Sequence, residues 1–441
     1  MTRTPSTDPL RAGVAREVIS PPRGLYLIGY GDRTKGNVGV HDPLTATALV
    51  LAQGERRLAL VACDLLCINA HVTERVQRAI GDEIEVIISC SHTHAGPITY
   101  ADWRSNPRRR VYVKRLVAAI ARAVRRAAAT TVPATLRGGQ TTVDIAVNRR
   151  ERQADGSLGI GVNPAGPVDQ AVNVLRVDAV DGGSLATVVN LACHGTVLGP
   201  ENRQVSADWI GAMRARVEAA RGGQVLFLQG ATADVNPVEN LLGADDDPWE
   251  AVAALGGRVA DVVIAACDAD LTALDGAPLR WQHREVWLPL EAQATTARPP
   301  RTYRRVLAES ADLPPFLAPA VDLLLWRRYP WRSRVEARDG VWSVPLHVNA
   351  VRLGDVSLVT FGAETFTEIG QVIKDAAPTS QALFASVTDD CIGYLPTAAE
   401  HAKGGPEVDL FSYFYRYPAR FAPQSARIAT DAAINLLNEL G

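Results

Sequence analysis

Short apolar runs alternate along this chain with longer stretches in which apolar positions recur every three or four residues. Residues 57–65, 85–91, 224–229 and 356–361 carry the compact, β-branched-rich pattern of buried strands, as does the run ending at Leu191. Residues 72–80, 107–129, 208–221, 248–267 and 423–440 carry the 3.6-residue period of amphipathic helices. Strand and helix alternate, and there are no internal repeats or low-complexity segments. The pattern therefore predicts an α/β fold, a sheet covered by helices, and 441 residues make one large or two to three ordinary domains. The grammar breaks over residues 292–338, which are rich in proline, arginine and aromatics; this stretch reads as a linker, a lid or an insertion covering a substrate.

The strands end in chemistry. The run Ile87-Ile88-Ser89-Cys90-Ser91 opens directly onto His92-Thr93-His94-Ala95-Gly96-Pro97. On an extended backbone, residues two apart share a face, so His92 and His94 are expected to point one way and Thr93 the other. Such a pair can bind a metal, move a proton, or do one of each; hydrogen-bonded histidines at a polar strand end are an equal alternative from this segment alone. Three more strands end in the same manner. One opens onto Cys193-His194-Gly195, one onto Asp234-Val235-Asn236-Pro237, and one onto Gly362-Ala363-Glu364. In α/β proteins ligand sites assemble at the carboxyl edge of the sheet, and two histidines with a glutamate match the donor set of a catalytic zinc.

In order and spacing, these motifs resemble the neutral/alkaline non-lysosomal ceramidases, zinc amidases that cleave the amide bond of ceramide. The resemblance spans most of the chain: Gly29-Tyr30-Gly31, Asp64, the His92–Pro97 segment, Asn148-Arg149, His194, Ser206-Ala207-Asp208, Asp234–Pro237, Glu364 and Gly393-Tyr394. It implies zinc held by His92, His194, Glu364 and Tyr394. It also implies that His94 works on substrate or water and that Arg149 stands in the active site; the residue types then point to Arg149 or Asn236 as the group that steadies the oxyanion. The implied fold is α/β, mixed β-sheets flanked by helices in a single catalytic domain over residues 1–441, and the implied reaction is zinc-dependent hydrolysis of an N-acyl bond in a small or lipid-like acylated amine.

Two departures bear on the substrate. Asn236 stands where the family has serine, and Gly404-Gly405-Pro406-Glu407 places proline where the family has tyrosine. Proline offers neither a hydroxyl nor a backbone donor. Tyr413, Tyr415, Asn236 and Arg149 are the candidates to replace that tyrosine. A rebuilt pocket leaves open an ester or lactone hydrolase, an amide-forming or cyclising enzyme, and a catalytically silent ligand-binding relative.

Composition narrows the partners. With 46 basic and 48 acidic residues the net charge is -2, which argues against a nucleic-acid surface. The first ten residues lack the apolar core of a signal peptide, and no run reaches the roughly 18 apolar residues that span a bilayer. A cytoplasmic protein is expected, without the family's immunoglobulin-like carboxyl-terminal domain. The six cysteines lack metal-site spacing and read as reduced, mostly buried thiols, Cys90 and Cys193 among them. Asp64, Asp208 and Asp234 read either as partners orienting the histidines or as caps and turn residues. Glu368 is an alternative ligand if it shares a helix face with Glu364. Arg108-Arg109-Arg110 reads as a solvated helix face, and Trp326 to Arg332 as either a pocket wall or an amphipathic surface segment.

Overall fold

In this computed structural model the described residues are 8–30, 33, 35–99, 107–243, 247–269, 271–274, 278–291, 334–415, 417 and 419–441. Most of the 292–338 stretch, including Trp326 to Arg332, lies outside them, as do Gly31 and the side chain of Tyr413.

Two sheets pack face to face. The larger has nine strands, its path running Gln224–Gln229, Ser184–Leu191, Ala171–Ala179, Val132–Thr142, Arg11–Val18, Thr45–Gln53, Arg56–Cys63 and Glu85–Cys90. The smaller has five, led by the long pair Arg280–Pro289 and Val341–Leu353, then Val356–Phe361 and Gln381–Ala385. Alternation of side chains along each strand builds the layers. Leu58, Leu60 and Val188 point between the sheets and meet Val351, Leu353, Leu358 and Leu383 of the smaller one. The intervening Ala59 and Val61 face outward to the helices Ala70–Ile80 and Pro107–Ala129. Val189 likewise faces outward, to Asp208–Arg221 and Pro248–Asp268. The helix Ser425–Leu440 covers the outer face of the smaller sheet with Ala429, Ala433 and Leu436. The result is helix, sheet, sheet, helix.

The mixed α/β architecture agrees with the sequence pattern, and the helices fall within two residues of their expected limits. Within the larger sheet Arg11–Val18 pairs antiparallel with Thr45–Gln53, and no helix separates the two along the chain.

Parallel pairing marks the functional edge. Glu85–Cys90 runs parallel to Arg56–Cys63, Ser184–Leu191 to Gln224–Gln229, and Val356–Phe361 to Gln381–Ala385. The strands that lead to His92, His194, Asp234 and Glu364 all belong to these pairs, and their carboxyl ends converge on one end of the sandwich. No helix among the described residues is long and apolar enough to cross a membrane.

Candidate metal centre

His92, His94 and His194 meet where the three parallel pairs end. One ring nitrogen from each lies within 4.8 Å of the others, the one such group of three potential metal ligands among the described residues. The rings stand nearly edge to face, with centroids 4.7 to 5.5 Å apart. The convergence of His92 and His94 is not the pleat alternation expected from sequence. The strand stops at Cys90, and His92 adopts φ 61°, a left-handed conformation that a bulky residue keeps only when its surroundings hold it there. The hold is visible: His92 N–H donates to Leu65 O at 2.9 Å, and its Nδ1 lies 2.8 Å from Leu66 O. Thr93 does face away, donating to Ser206 O at 2.8 Å.

His194 is fixed in the same way, with Nδ1 2.8 Å from Val235 O while Trp209 Nε1 donates to His194 O at 2.9 Å. A carbonyl on Nδ1 places the ring proton there and leaves Nε2 as a lone-pair donor. These orienting groups are backbone carbonyls, to which residue identity gives no clue. None of the carboxylates of Asp64, Asp208 and Asp234 is hydrogen-bonded to the rings of His92, His94 or His194. Asp64 accepts from Thr45 and Arg214 at the base of the loop that carries Leu65 and Leu66. Asp208 accepts from the backbone of Val197 and Leu198, closing the loop after His194. Asp234 takes Thr367 and Asn148, joining the segment after Glu364 to the Arg149 strand. Burial pushes the Asp208 and Asp234 carboxyls up to about 6.

Glu364 comes from the two-residue strand Glu364–Thr365, paired in parallel with Tyr394–Leu395, which sets Glu364 beside Tyr394. Its Oε2 lies 3.3 Å from His92 Nε2. Burial pushes its carboxyl up, but His92 and the hydroxyls of Tyr394 and Tyr415 more than offset this and hold it below the usual range. Glu368 is not an alternative ligand. The helix begins only at Thr367, so no helical turn relates the two glutamates; Glu368 is exposed and accepts from Thr397 at 3.3 Å.

A metal fits this cluster on its own evidence. His92 Nε2, His194 Nε2, both nitrogens of His94 and Glu364 Oε2 are all buried with no hydrogen-bond partner. Leaving such atoms unsatisfied costs about 1–3 kcal/mol each, unless a ligand takes their lone pairs. Burial holds the His94 and His194 pKa values well below the ordinary range, so both rings stay neutral, the form that binds a metal. Neutral imidazoles with one carboxylate suit zinc.

The model of the neutral/alkaline non-lysosomal ceramidase family, N-terminal part, matches residues 11–245. The chain belongs to this family. Two solved structures, the neutral ceramidase from Pseudomonas aeruginosa and a ceramidase complexed with C2, share its fold. Each has a TM-score of 0.75 at 18% identity over 98% of this chain, and 74% and 75% of the respective solved chains are covered. Curated protein sequences give no match.

Beside the histidines, this ceramidase-family protein buries a cation held on three sides. Arg149 donates from Nε to Glu407 Oε1 at 2.9 Å, from Nη1 to Asn236 Oδ1 at 3.0 Å and from Nη2 to Tyr394 Oη at 3.3 Å. Burial disfavours its charge, but Tyr394 and Glu407 more than offset this and keep it protonated. Burial and the Glu364 carboxylate push the Tyr394 phenol well above its ordinary value, with Arg149 pulling the other way. Glu407 also takes Arg150 Nη1 at 2.7 Å, and Arg150 Nε donates to Glu400 at 2.7 Å, so the buried charges alternate in sign. Asn236 passes the chain on to Asn240 Oδ1 at 2.6 Å, and Asn240 donates to Tyr30 Oη at 3.1 Å. Pro406, where the family has tyrosine, opens the short π-helical turn Pro406–Leu410 that carries Glu407. Of the residues expected to replace that tyrosine, Arg149 and Asn236 belong to this network. Tyr415 is buried on the Glu364 side and donates to Glu364 Oε1 at 2.8 Å.

Proposed function

We propose that this protein is a zinc-dependent hydrolase that cleaves the amide bond of a small or lipid-like acylated amine. The observation that carries the reading is the convergence of buried, unpartnered donor atoms on His92, His94, His194 and Glu364. His92, His194, Glu364 and Tyr394 would hold the ion. Bound there, zinc supplies Lewis-acid chemistry, polarising the scissile carbonyl and lowering the pKa of water to roughly 7.

The chain's own groups supply the rest. His94, neutral and with both ring nitrogens unpaired, takes the proton of the attacking water and returns it to the departing amine. Arg149 is the fixed cation that steadies negative charge on the former carbonyl oxygen, and Asn236 keeps its Nη1 in place. Leu66 O and Val235 O keep the His92 and His194 rings from turning. Tyr394, hydrogen-bonded by Arg149, keeps its oxygen on the Glu364 side of the cluster.

Pro406 favours a second reading of the same site. Without the tyrosine hydroxyl, the substrate could instead be an ester or lactone, or the enzyme could join or cyclise a carboxylate and an amine. One experiment separates these readings. Zinc is measured by plasma mass spectrometry in wild type, His92→Ala and His194→Ala, and the products formed from a panel of N-acyl amines and esters are identified. Stoichiometric zinc lost in both variants, with free acid and amine released by wild type, is the expected result. Cleavage of esters alone would overturn the amidase reading, and a folded wild type that takes up no zinc would overturn the hydrolase reading altogether.

A further inference from the structure

Glu364 has two carboxylate oxygens in different situations. Oε1 accepts the Tyr415 hydroxyl at 2.8 Å, and Oε2 is buried without a hydrogen-bond partner, 3.3 Å from His92 Nε2. A free carboxylate can rotate about its last torsion and offer a metal either one oxygen or both. With one oxygen taken, that choice is removed.

The hydroxyl is itself held from several sides. Cys391 Sγ lies 3.4 Å from Tyr415 Oη. The Tyr415 ring lies over Gly393, where a Cβ would fall 2.8 Å from ring carbon Cδ2; Gly393 has φ 100°, so a side chain is excluded there by conformation as well. Gly393 O in turn accepts the Glu364 backbone N–H at 2.9 Å. The segment that delivers Tyr394 to the site therefore also seats the ring that aims Glu364.

We propose that Tyr415 is a positioning residue that holds Glu364 in a one-oxygen presentation, with Oε2 turned to the imidazole cluster. The proposal rests on the metal-centre reading above. Tyr415→Phe keeps the ring, its packing on Gly393 and its stacking near Tyr417, and removes only the hydroxyl. Zinc affinity, measured by competition with a chromogenic chelator on protein recovered as a single folded species, is expected to fall about 10–100-fold. The visible spectrum of the cobalt-substituted protein should shift as well, because the carboxylate changes its mode of coordination. In a Glu364→Ala background, where no acceptor is left for the hydroxyl, the same substitution should have no further effect on affinity.

If Tyr415→Phe has wild-type zinc affinity and an unchanged cobalt spectrum, Tyr415 only fills space and the proposal is wrong. Additive losses in the double variant would likewise overturn it. A wild type that binds neither metal would remove the metal reading, and the proposal with it, so the two failures are told apart by which protein loses the ion.

Discussion

Gly29 and His94 are packed so closely that a Cβ on Gly29 would lie 2.3 Å from His94 Nδ1. Gly29 also has φ 114°, which L-residues avoid. Both facts place the imidazole against bare backbone, with the ring of the next residue, Tyr30, edge to face with it at 5.1 Å between centroids. Gly29→Ala must push the ring out of place. Misplacement of a catalytic group by about 1 Å costs roughly 10²-fold in rate, so kcat/KM is expected to fall by that order while the three-histidine site still takes up zinc through His92 and His194. Wild-type kinetics in Gly29→Ala would show that His94 does not act on the reacting atoms.

Arg149, Arg150, Glu407 and Glu400 form a buried network in which each charge is matched. Breaking such a pair from one side leaves an uncompensated charge and costs about 3–5 kcal/mol. Glu407→Gln, which keeps the volume and removes the charge shared by both arginines, should lower the urea midpoint accordingly. Arg149→Lys should retain most of the zinc but lose about 10²–10³ in kcat, because an ammonium cannot make the three directed contacts of a guanidinium. A fully active Arg149→Lys would remove Arg149 from the chemistry and leave it a structural cation.

The strands that carry His92, His194 and Glu364 were legible because each is a short apolar run punctuated by a polar turn, and the carboxyl-end rule then gathers them. What aims the side chains was not legible. Leu66 O and Val235 O are main-chain groups with no sequence signature, and the left-handed turn at His92 is held by Leu65 O and Leu66 O rather than by histidine's own preference. Tyr415 lies 51 residues from Glu364, so only the fold reveals that its hydroxyl serves that carboxylate. Glu368 misled for a related reason. Spacing of four suggests one helix face, but Phe366 ends the strand segment before the helix begins.

Stability should depend on pH through Asp389. Burial pushes its carboxyl up to about 7 from 3.8, despite hydrogen bonds from Ile88 N–H and Asn349 Nδ2, both at 2.8 Å. Between those two values the native protein keeps a proton that the unfolded chain has released. The protonated carboxyl therefore favours the fold at low pH, and that contribution declines as pH rises through this window and is gone above about 7. Asp389→Asn removes the titration and can keep both contacts if the Asn349 amide turns over. Wild-type thermal stability relative to Asp389→Asn should fall steadily between about pH 4 and pH 7. A pH-independent difference would mean that Asp389 is ionised throughout.

Between the two sheets lies an apolar cavity of about 50 Å³, walled by Leu58, Leu60 and Val188 on one side and Val351, Leu358 and Leu383 on the other. A void this size forfeits contacts worth about 1 kcal/mol at roughly 24 cal/mol per Å³. Adjacent positions on one strand provide an internal control, because Val188 faces the cavity and Val189 faces the packed helix layer. Val188→Ile adds a methylene where there is room and should stabilise by about 0.5–1 kcal/mol. Val189→Ile adds the same group where Trp209 and Phe227 already fill the space, and should destabilise by about 1 kcal/mol or more. Melting temperatures of the two variants decide the matter. If both fall alike, the sheets are already in contact at Val188; if only Val189→Ile falls, the two layers differ in packing as the alternation along the strand requires.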